Sequence, residues 1–183
     1  MKLSEFVAKN GTALQKEAGS HLFRQGDQDQ SLYVVHAGLL KAYYLSPDGK
    51  EHIKSFILPG DSIGSLMSSY AGKACTFSLV CLKPCQLSVL RFADLYEASK
   101  SDAEMSADIV DFLLGFGMKK ENREYELLCL SAEERYKRMM QTAPMILDLV
   151  TQNEIARYLG VTPVGLSRIK KRVVGSARAS SQD

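Results

Sequence analysis

The spacing of hydrophobic positions changes along the chain, and each change predicts a different kind of structure. After a short N-terminal helix, residues 20–92 contain short runs rich in β-branched and aromatic residues, which is typical of β-strands. Glycine and proline turns separate the runs. Regular short strands with frequent turns predict a β-sandwich or jelly roll, called the β-roll below. The runs are SLYVVHA, LLKAYYL, HIKSFIL, TFSLVCL and CQLSVLRF.

A long helix is predicted for residues 102–130, where turn-breaking residues are few. Its apolar positions recur at spacings of mainly three and four, which gives one apolar stripe along the helix. This stripe must be covered either by the β-roll of the same chain or by the same helix of a second copy. The candidate residues for a dimer interface are Ile109, Phe112, Leu113 and Phe116.

Residues 131–183 read as a group of shorter helices. Ser131 and Glu134 have the spacing of a capping box, so a new helix is expected to start there. Pro144 then forces a break or a restart. Residues 151–172, TQNEIARYLGVTPVGLSRIKKR, match the physical requirements of a helix-turn-helix.

Each part of the helix-turn-helix has a local cause. Thr151 can cap the first helix, and Gly160 permits the left-handed backbone that ends it. Thr162 can cap the second helix, with Pro163 at its first position. The buried faces are expected to come from Ile155, Ala156, Leu159, Leu166 and Ile169.

The exposed face of the second helix carries the chemistry that DNA binding needs. Ser167 and Arg168 can contact base edges in a major groove, and basic residues near its end can neutralise phosphates. A basic helix end also favours the helix dipole and is commonly just solvated, so the pattern around these residues decides between the two interpretations. The predicted DNA-contacting residues are Thr151, Gln152, Thr162, Val164, Ser167, Arg168, Lys170, Lys171 and Arg172.

Composition agrees with a folded chain, and its charge is unevenly distributed. Of 183 residues, 45% are hydrophobic and 24% charged, which is a globular composition. The net charge of +2 hides a regional difference, because residues 101–150 hold 6 basic and 10 acidic side chains whereas residues 151–183 hold 6 and 2. Positive charge therefore gathers around the predicted helix-turn-helix.

Other chemistry is weakly indicated. We expect a cytoplasmic protein, because the chain has neither a secretory leader pattern nor a long apolar run. The four cysteines are expected to be reduced. Cys75 and Cys81 could share one strand face as a thiol redox sensor, although buried cysteines are the commoner case. The three histidines lack metal-ligand spacing, and no catalytic motif is present, so neither a metal site nor an enzyme is expected.

Both halves of the chain resemble the CRP/FNR transcription regulators. In the first half, LFRQGDQDQSLYVVHAGLLKAYYLSPDGKEHIKSFILPGDSIGSL resembles their cyclic-nucleotide-binding β-roll, with glycine turns like Gly26 and Gly38 and a PGDxxG element at residues 59–64. A C-terminal helix-turn-helix ending in LSRIKK extends the resemblance to about residues 15–172. It implies an α+β protein with a β-roll sensor domain (1–101), a dimerisation helix (102–130) and a helix-turn-helix DNA-binding domain (131–183).

The resemblance does not extend to the ligand. Cyclic-nucleotide binders of this family have a glutamate after the glycine of the phosphate cassette and an arginine–serine pair for the phosphate. Here those positions are Ser65, Cys75 and Thr76, so the bidentate contact of an arginine is lost and cAMP is disfavoured. The oxygen-sensing branch holds an iron–sulfur cluster on N-terminal cysteines, and no cysteine precedes Cys75, so that cofactor is disfavoured too. The candidate pocket residues are Gly64, Ser65, Leu66, Cys75 and Thr76.

These observations favour a regulator that binds a two-fold symmetric operator in double-stranded DNA as a homodimer. Two further partners are candidates: an unidentified small-molecule effector that binds in the β-roll, and RNA polymerase. Binding to a membrane is not expected. Arg168 matches the family's base-contacting arginine, but Pro163 and Val164 replace the arginine and glutamate of the activator branch. About 11 residues follow Arg172, which is short for a β-hairpin wing. The alternative hypothesis is a ligand- or protein-binding β-roll whose C-terminal helices do not read DNA.

Overall fold

Eight short strands and three helices precede a long helix in the first half of the chain. The computed structural model describes residues 1–179, with side chains described as far as Val173, and all counts refer to this part. The helices are α1 (Leu3–Asn10), α2 (Leu66–Ser69), α3 (Phe92–Lys100) and α4 (Ala103–Cys129). The strands are β1 (Thr12–Lys16), β2 (His21–Phe23), β3 (Ser31–Ala37), β4 (Leu40–Leu45), β5 (Glu51–Ile57), β6 (Ser62–Gly64), β7 (Ser78–Cys81) and β8 (Cys85–Arg91).

The strands form two antiparallel four-stranded sheets. One sheet has the order β1-β8-β3-β6, and the other has the order β2-β7-β4-β5. The three-residue connection between Cys81 and Cys85 carries the chain from one sheet to the other. The predicted jelly roll, the long central helix and the C-terminal helical region are confirmed.

Alternate residues of the strands fill the interior of the β-roll. Leu40 and Leu79 are fully buried, and Leu87 from the other sheet is 2% exposed. Three aromatic rings occupy the same cluster: the centroid of Phe23 lies 5.1 Å from that of Phe77 and 6.3 Å from that of Tyr33. The interior is thus packed with the chain's own side chains.

A second apolar cluster joins helices to the β-roll. Phe6 and Val7 of α1, Leu95 of α3 and Met105 of α4 are buried together with Leu32 and Leu90. Ile109 and Phe112 of α4 pack against this cluster, and Phe116 packs against the interior of the β-roll. Three of the four predicted dimer-interface residues therefore face their own β-roll, and only Leu113 is exposed, at 39%.

The second half of the chain is helical. It contains α5 (Ala132–Thr142), α6 (Pro144–Leu149), α7 (Gln152–Leu159) and α8 (Pro163–Ala179). The predicted capping box at the start of α5 is confirmed: the N–H of Glu134 donates to Ser131 Oγ over 3.2 Å, and the N–H of Ser131 donates to the Glu134 carboxylate over 2.7 Å. Pro144 occupies the first turn of α6, where its missing N–H costs nothing.

The chain divides into two compact units, residues 1–117 and 118–183, and the division falls inside α4. The predicted division into a sensor domain, a dimerisation helix and a DNA-binding domain has its limits at the two ends of this helix. The roles of these three parts stay predictions. Because α8 continues to Ala179, no hairpin follows it within the described residues.

Gly38 is the glycine that the β-roll needs most. Its φ is +98°, and a Cβ there would lie 2.8 Å from Cys85 Cα and closer still to the carbonyl oxygen of Pro84. Gly26 has nearly the same φ, +97°, but a Cβ there would have no neighbour within 4 Å. Comparing substitutions at Gly38 and Gly26 therefore separates the energetic cost of a positive φ from the cost of a steric clash.

We predict that Gly38→Ala lowers the free energy of unfolding by about 2–3 kcal/mol more than Gly26→Ala, because both variants bear the strain of a positive φ but only the first must also displace backbone atoms. Urea denaturation followed by circular dichroism measures the difference. Equal losses in the two variants would contradict the close approach between Gly38 and the chain at Pro84 and Cys85.

Candidate DNA-binding site

The helix-turn-helix consists of α7, a short turn and α8, and local hydrogen bonds fix both helix starts. Thr151 Oγ1 accepts from the N–H of Glu154 over 3.3 Å, and the Glu154 carboxylate accepts from the N–H of Thr151 over 3.0 Å. Gly160 ends α7 in the left-handed conformation with φ at 68°. At the start of α8, Thr162 Oγ1 accepts from the N–H of Gly165 over 3.1 Å. The predicted caps and turn are confirmed.

The inner faces of the two helices form a small core. Ala156 and Leu159 of α7 are fully buried, and Ile155 is 1% exposed. Leu166 and Ile169 of α8 are 1% and 4% exposed. This packing determines which side of α8 faces outward, since an α-helix repeats its faces every 3.6 residues.

Four residues form the outer face of α8: Val164, Ser167, Arg168 and Lys171 are all exposed. The side chains of Ser167, Arg168 and Lys171 make no hydrogen bond or ion pair with another described residue. Val164 is 62% exposed although it is apolar. This face thus presents one hydroxyl, two cations and one apolar group, and all of them are available to an external partner.

The other predicted contacts are partly engaged within the protein. Lys170 Nζ donates to Gln152 Oε1 over 2.9 Å, which ties α8 to the first residue of α7. Arg172 Nε lies 2.8 Å from the carboxylate of Glu133 on α5. A hydrogen bond from Arg172, and to a smaller extent one from Lys137, lowers the pKa of the Glu133 carboxyl. Arg172 therefore contributes to the contact between α5 and α8, and only part of the basic cluster faces outward.

Arg135, which the sequence analysis did not identify, holds the helix-turn-helix in place. From α5, one terminal nitrogen donates to the carbonyl oxygens of Leu130 and Glu126, at 2.6 and 3.2 Å. The other donates to the carbonyl oxygen of Leu159 over 2.9 Å. One guanidinium thus satisfies backbone acceptors at the C-terminal ends of both α4 and α7.

Arg123 makes a second contact of this kind. Its guanidinium carbon lies 3.7 Å from the centre of the Tyr158 ring, and it donates to the carbonyl oxygen of Tyr158. A side-chain nitrogen of Arg123 also lies 3.6 Å from the Glu126 carboxylate, which Arg138 approaches to 3.0 Å. Burial lowers the pKa of Arg123 and raises that of the Tyr158 hydroxyl. Arginines on α4 and α5 therefore surround the end of α7.

The five predicted ligand-pocket residues do not form one polar cavity. Cys75 is 2% exposed and belongs to the packed interior, whereas Thr76 is exposed. Gly64 and Leu66 line a shallow cleft whose other walls are mainly apolar and include Phe112, Leu113 and Phe116. Ser65 is 1% exposed, and its hydroxyl has no hydrogen-bond partner among the described residues.

Comparison with known proteins agrees with both halves of this architecture. Residues 14–102 match the family model of the cyclic nucleotide-binding domain. The transcriptional activator protein Anr of Pseudomonas protegens is 28% identical over 175 residues, which cover 91% of this chain and 71% of Anr. These similarities support assignment of the chain to the CRP/FNR transcription regulators.

Solved structures show the same fold at low sequence identity. FixK2 of Bradyrhizobium japonicum superposes with a TM-score of 0.74 at 18% identity, covering 91% of this chain and 86% of FixK2. CLP, described as the c-di-GMP responsive global regulator of Xanthomonas campestris, superposes with a TM-score of 0.75 at 17% identity, covering 96% and 91%. The β-roll, long helix and C-terminal helices are thus the CRP/FNR fold.

The four cysteines of the chain differ in exposure. Cys75, Cys81 and Cys85 are buried, and Cys129 at the end of α4 is exposed. Burial, followed by the proximity of Cys85, raises the pKa of the Cys81 thiol to about 12. Since the thiolate is the reactive form, Cys81 is a poor candidate for the predicted redox sensor.

Two further observations concern the described residues as a whole. They contain no helix that is long and apolar enough to cross a membrane. They also contain no group of three or more histidine, cysteine or acidic side chains that could hold a metal ion.

We predict that Arg135→Ala lowers the free energy of unfolding of the second compact unit, the helical unit of residues 118–183, by about 3 kcal/mol. The reason is that backbone acceptors at two helix ends lose a charged donor. Lys137→Ala is the control, since it removes a cation of the same helix whose side chain is 46% exposed and pairs with Glu133 one turn away, so it should cost less than about 1 kcal/mol. Urea denaturation of each variant measures both effects. Equal losses would contradict the assigned role of Arg135.

Proposed function

We propose that this CRP/FNR regulator binds a two-fold symmetric operator as a homodimer, with α8 of each subunit in the major groove of one half-site. The observation that carries the proposal is the outer face of α8, where Ser167, Arg168 and Lys171 are exposed and without partners among the described residues. A major groove accommodates one α-helix, and its base edges offer acceptors that arginine contacts in pairs.

Eight of the nine predicted DNA contacts divide by role under this proposal. Arg168 reads a base, with Ser167 beside it, and Lys171 neutralises a phosphate. Thr151 and Thr162 cap the two helices, so they support the site, and their first turns lie where a DNA backbone would approach. Gln152, Lys170 and Arg172 mainly hold the helices together through the contacts described above.

An exposed apolar patch on α4 supports dimerisation. Val110 is 54% exposed, Leu113 39% and Leu114 59%, and all three lie on neighbouring helical positions. Three large apolar side chains within one and a half turns form a typical helix–helix seam. Because Ile109, Phe112 and Phe116 pack against the β-roll, we place the centre of the interface at Val110, Leu113 and Leu114.

We further propose that an effector in the β-roll biases the dimer through α4. Lys54 Nζ lies 4.6 Å from the centre of the Phe77 ring in the β-roll and 5.5 Å from that of Phe116 on α4, so the two elements share a contact. The buried hydroxyl of Ser65 offers a small polar group a partner. No cyclic nucleotide is proposed, since Cys75 takes the place of the phosphate-binding arginine and the interior is occupied by side chains.

The remaining partners follow from the function. RNA polymerase is the proposed protein partner, because a regulator bound at an operator acts on transcription. We also propose a cytoplasmic location, because a transcription regulator acts where the DNA is and because the cysteines are expected to be reduced.

We predict that Leu114→Glu converts the dimer into a monomer, because each subunit would place a carboxylate in an apolar seam. Sedimentation velocity at low micromolar concentration measures the molecular mass. Leu114→Met is the matched control and should remain dimeric, since it keeps volume and apolarity. A wild-type monomer, or a Leu114→Glu dimer, would contradict the proposed interface.

We predict that Arg168→Ala and Lys171→Ala weaken DNA binding in different ways. An operator is first selected with the wild-type protein from random-sequence duplexes, and gel shifts then compare it with unrelated DNA at several salt concentrations. Arg168→Ala should lose about 1–3 kcal/mol of preference for the operator, because a base contact is removed. Lys171→Ala should weaken binding to all sequences and reduce the salt dependence by about one phosphate contact. Unchanged operator preference in Arg168→Ala would contradict the assigned base contact.

A further inference from the structure

Val164 is the most exposed large apolar residue among the described side chains of α5 to α8. It lies in the first turn of α8 and is 62% exposed. A single exposed valine is ordinary in a globular protein, so its exposure alone assigns nothing. Its position is informative because Ser167 and Arg168 follow three and four residues later and share its face of the helix.

The residues beside Val164 offer a base pair no polar group. Pro163 has neither an N–H nor a polar side chain. The absent side chain of Gly165 would point at Thr162 Oγ1, 3.3 Å away, and at Val161 Cβ, 3.6 Å away, which is toward the turn and not outward. Thr162 Oγ1 already accepts from the N–H of Gly165. Beyond Thr162, whose hydroxyl caps the helix, the outward side chains of this turn are therefore apolar.

The major groove contains one apolar mark, the 5-methyl group of thymine. A valine cannot accept a hydrogen bond from the amino group of cytosine or adenine, nor donate one to guanine. An exposed valine that enters the groove is thus complementary to thymine and leaves the polar edges of the other bases unsatisfied.

We propose that Val164 packs against the methyl group of one thymine in each half-site and makes this protein select thymine there. This inference rests on the proposed function, because it requires α8 to lie in the major groove. Residues four apart on a helix are separated by about 6 Å along its axis, which corresponds to about two base steps. The thymine is therefore expected about two base pairs from the base that Arg168 contacts.

The test uses the full-length protein and the operator selected from random-sequence duplexes. Each thymine of the operator is replaced in turn by deoxyuridine, which removes the methyl group and keeps the base pairing. At one symmetric position, the wild-type dissociation constant should rise roughly fourfold per half-site, the effect of exposing one buried methyl group. Replacing the same thymine by cytosine should cost more than replacing it by 5-methylcytosine, which restores the methyl group.

Three variants identify the side chain that reads this methyl group. Val164→Ser should bind the thymine and uracil operators equally, and Val164→Ile should still distinguish them. Arg168→Ala should keep the thymine-to-uracil ratio while losing preference at its own base. Position 164 is exposed and lies in the first helical turn, so these substitutions leave the core unchanged.

The outcomes separate this inference from the proposed function. If a selected operator is bound equally with uracil at every thymine, Val164 reads no methyl group and the inference is wrong while the proposed function stands. If Val164→Ser still distinguishes thymine from uracil, another residue reads the methyl group and the inference is also wrong. If no sequence is selected at all, both are wrong.

Discussion

The guanidinium of Arg135 is the contact on which the geometry of the helical unit depends. The C-terminal ends of α4 and α7 each present unsatisfied carbonyl oxygens, and two such ends with the same partial charge repel each other. The fork of one guanidinium donates to both ends, at 2.6 Å to Leu130 and 2.9 Å to Leu159. A lysine has one nitrogen and lacks this planar fork. Since α8 packs on α7 through Leu166 and Ile169, its outer face is oriented by the same contact.

Sequence predicts the parts of this fold whose causes are local. The capping pair Thr151 and Glu154, the left-handed Gly160 and the cap of α8 at Thr162 each depend on residues within three or four positions, so the helix-turn-helix can be read from its letters. Local sequence patterns predict the long helix and five of the strands for the same reason. The sequence pattern does not predict three strands and two helices: β1, β2, β6, α2 and α3. β1 has a mixed polar sequence and is formed by its pairing with β8, in which Thr12 lies opposite Val89, 77 residues further along the chain.

The candidate site was predicted less completely, because several of its contacts join distant residues. Arg172 and Glu133 are 39 residues apart, and Arg135 and Leu159 are 24 apart, so nothing in a short sequence window distinguishes these arginines from solvated ones. The stripe on α4 is a different case. The period of three to four residues predicts which face of α4 is apolar, but it does not show what packs against that face. In the structure, the β-roll of the same chain covers Ile109 and Phe112.

The internal use of basic residues affects how this protein can bind DNA. Lys170 contacts Gln152 and Arg172 pairs with Glu133, so among the described side chains of α8 the exposed cations without such a contact are Arg168 and Lys171. Few cations mean few phosphate contacts, and hence a small sequence-independent contribution to affinity. Two consequences follow. In the proposed dimer, affinity is gained by joining two subunits on one DNA, since linkage makes the second contact intramolecular. Under the same proposal, specificity depends on the base edges that each α8 reaches, so the chemistry of its outward side chains determines which operator is bound.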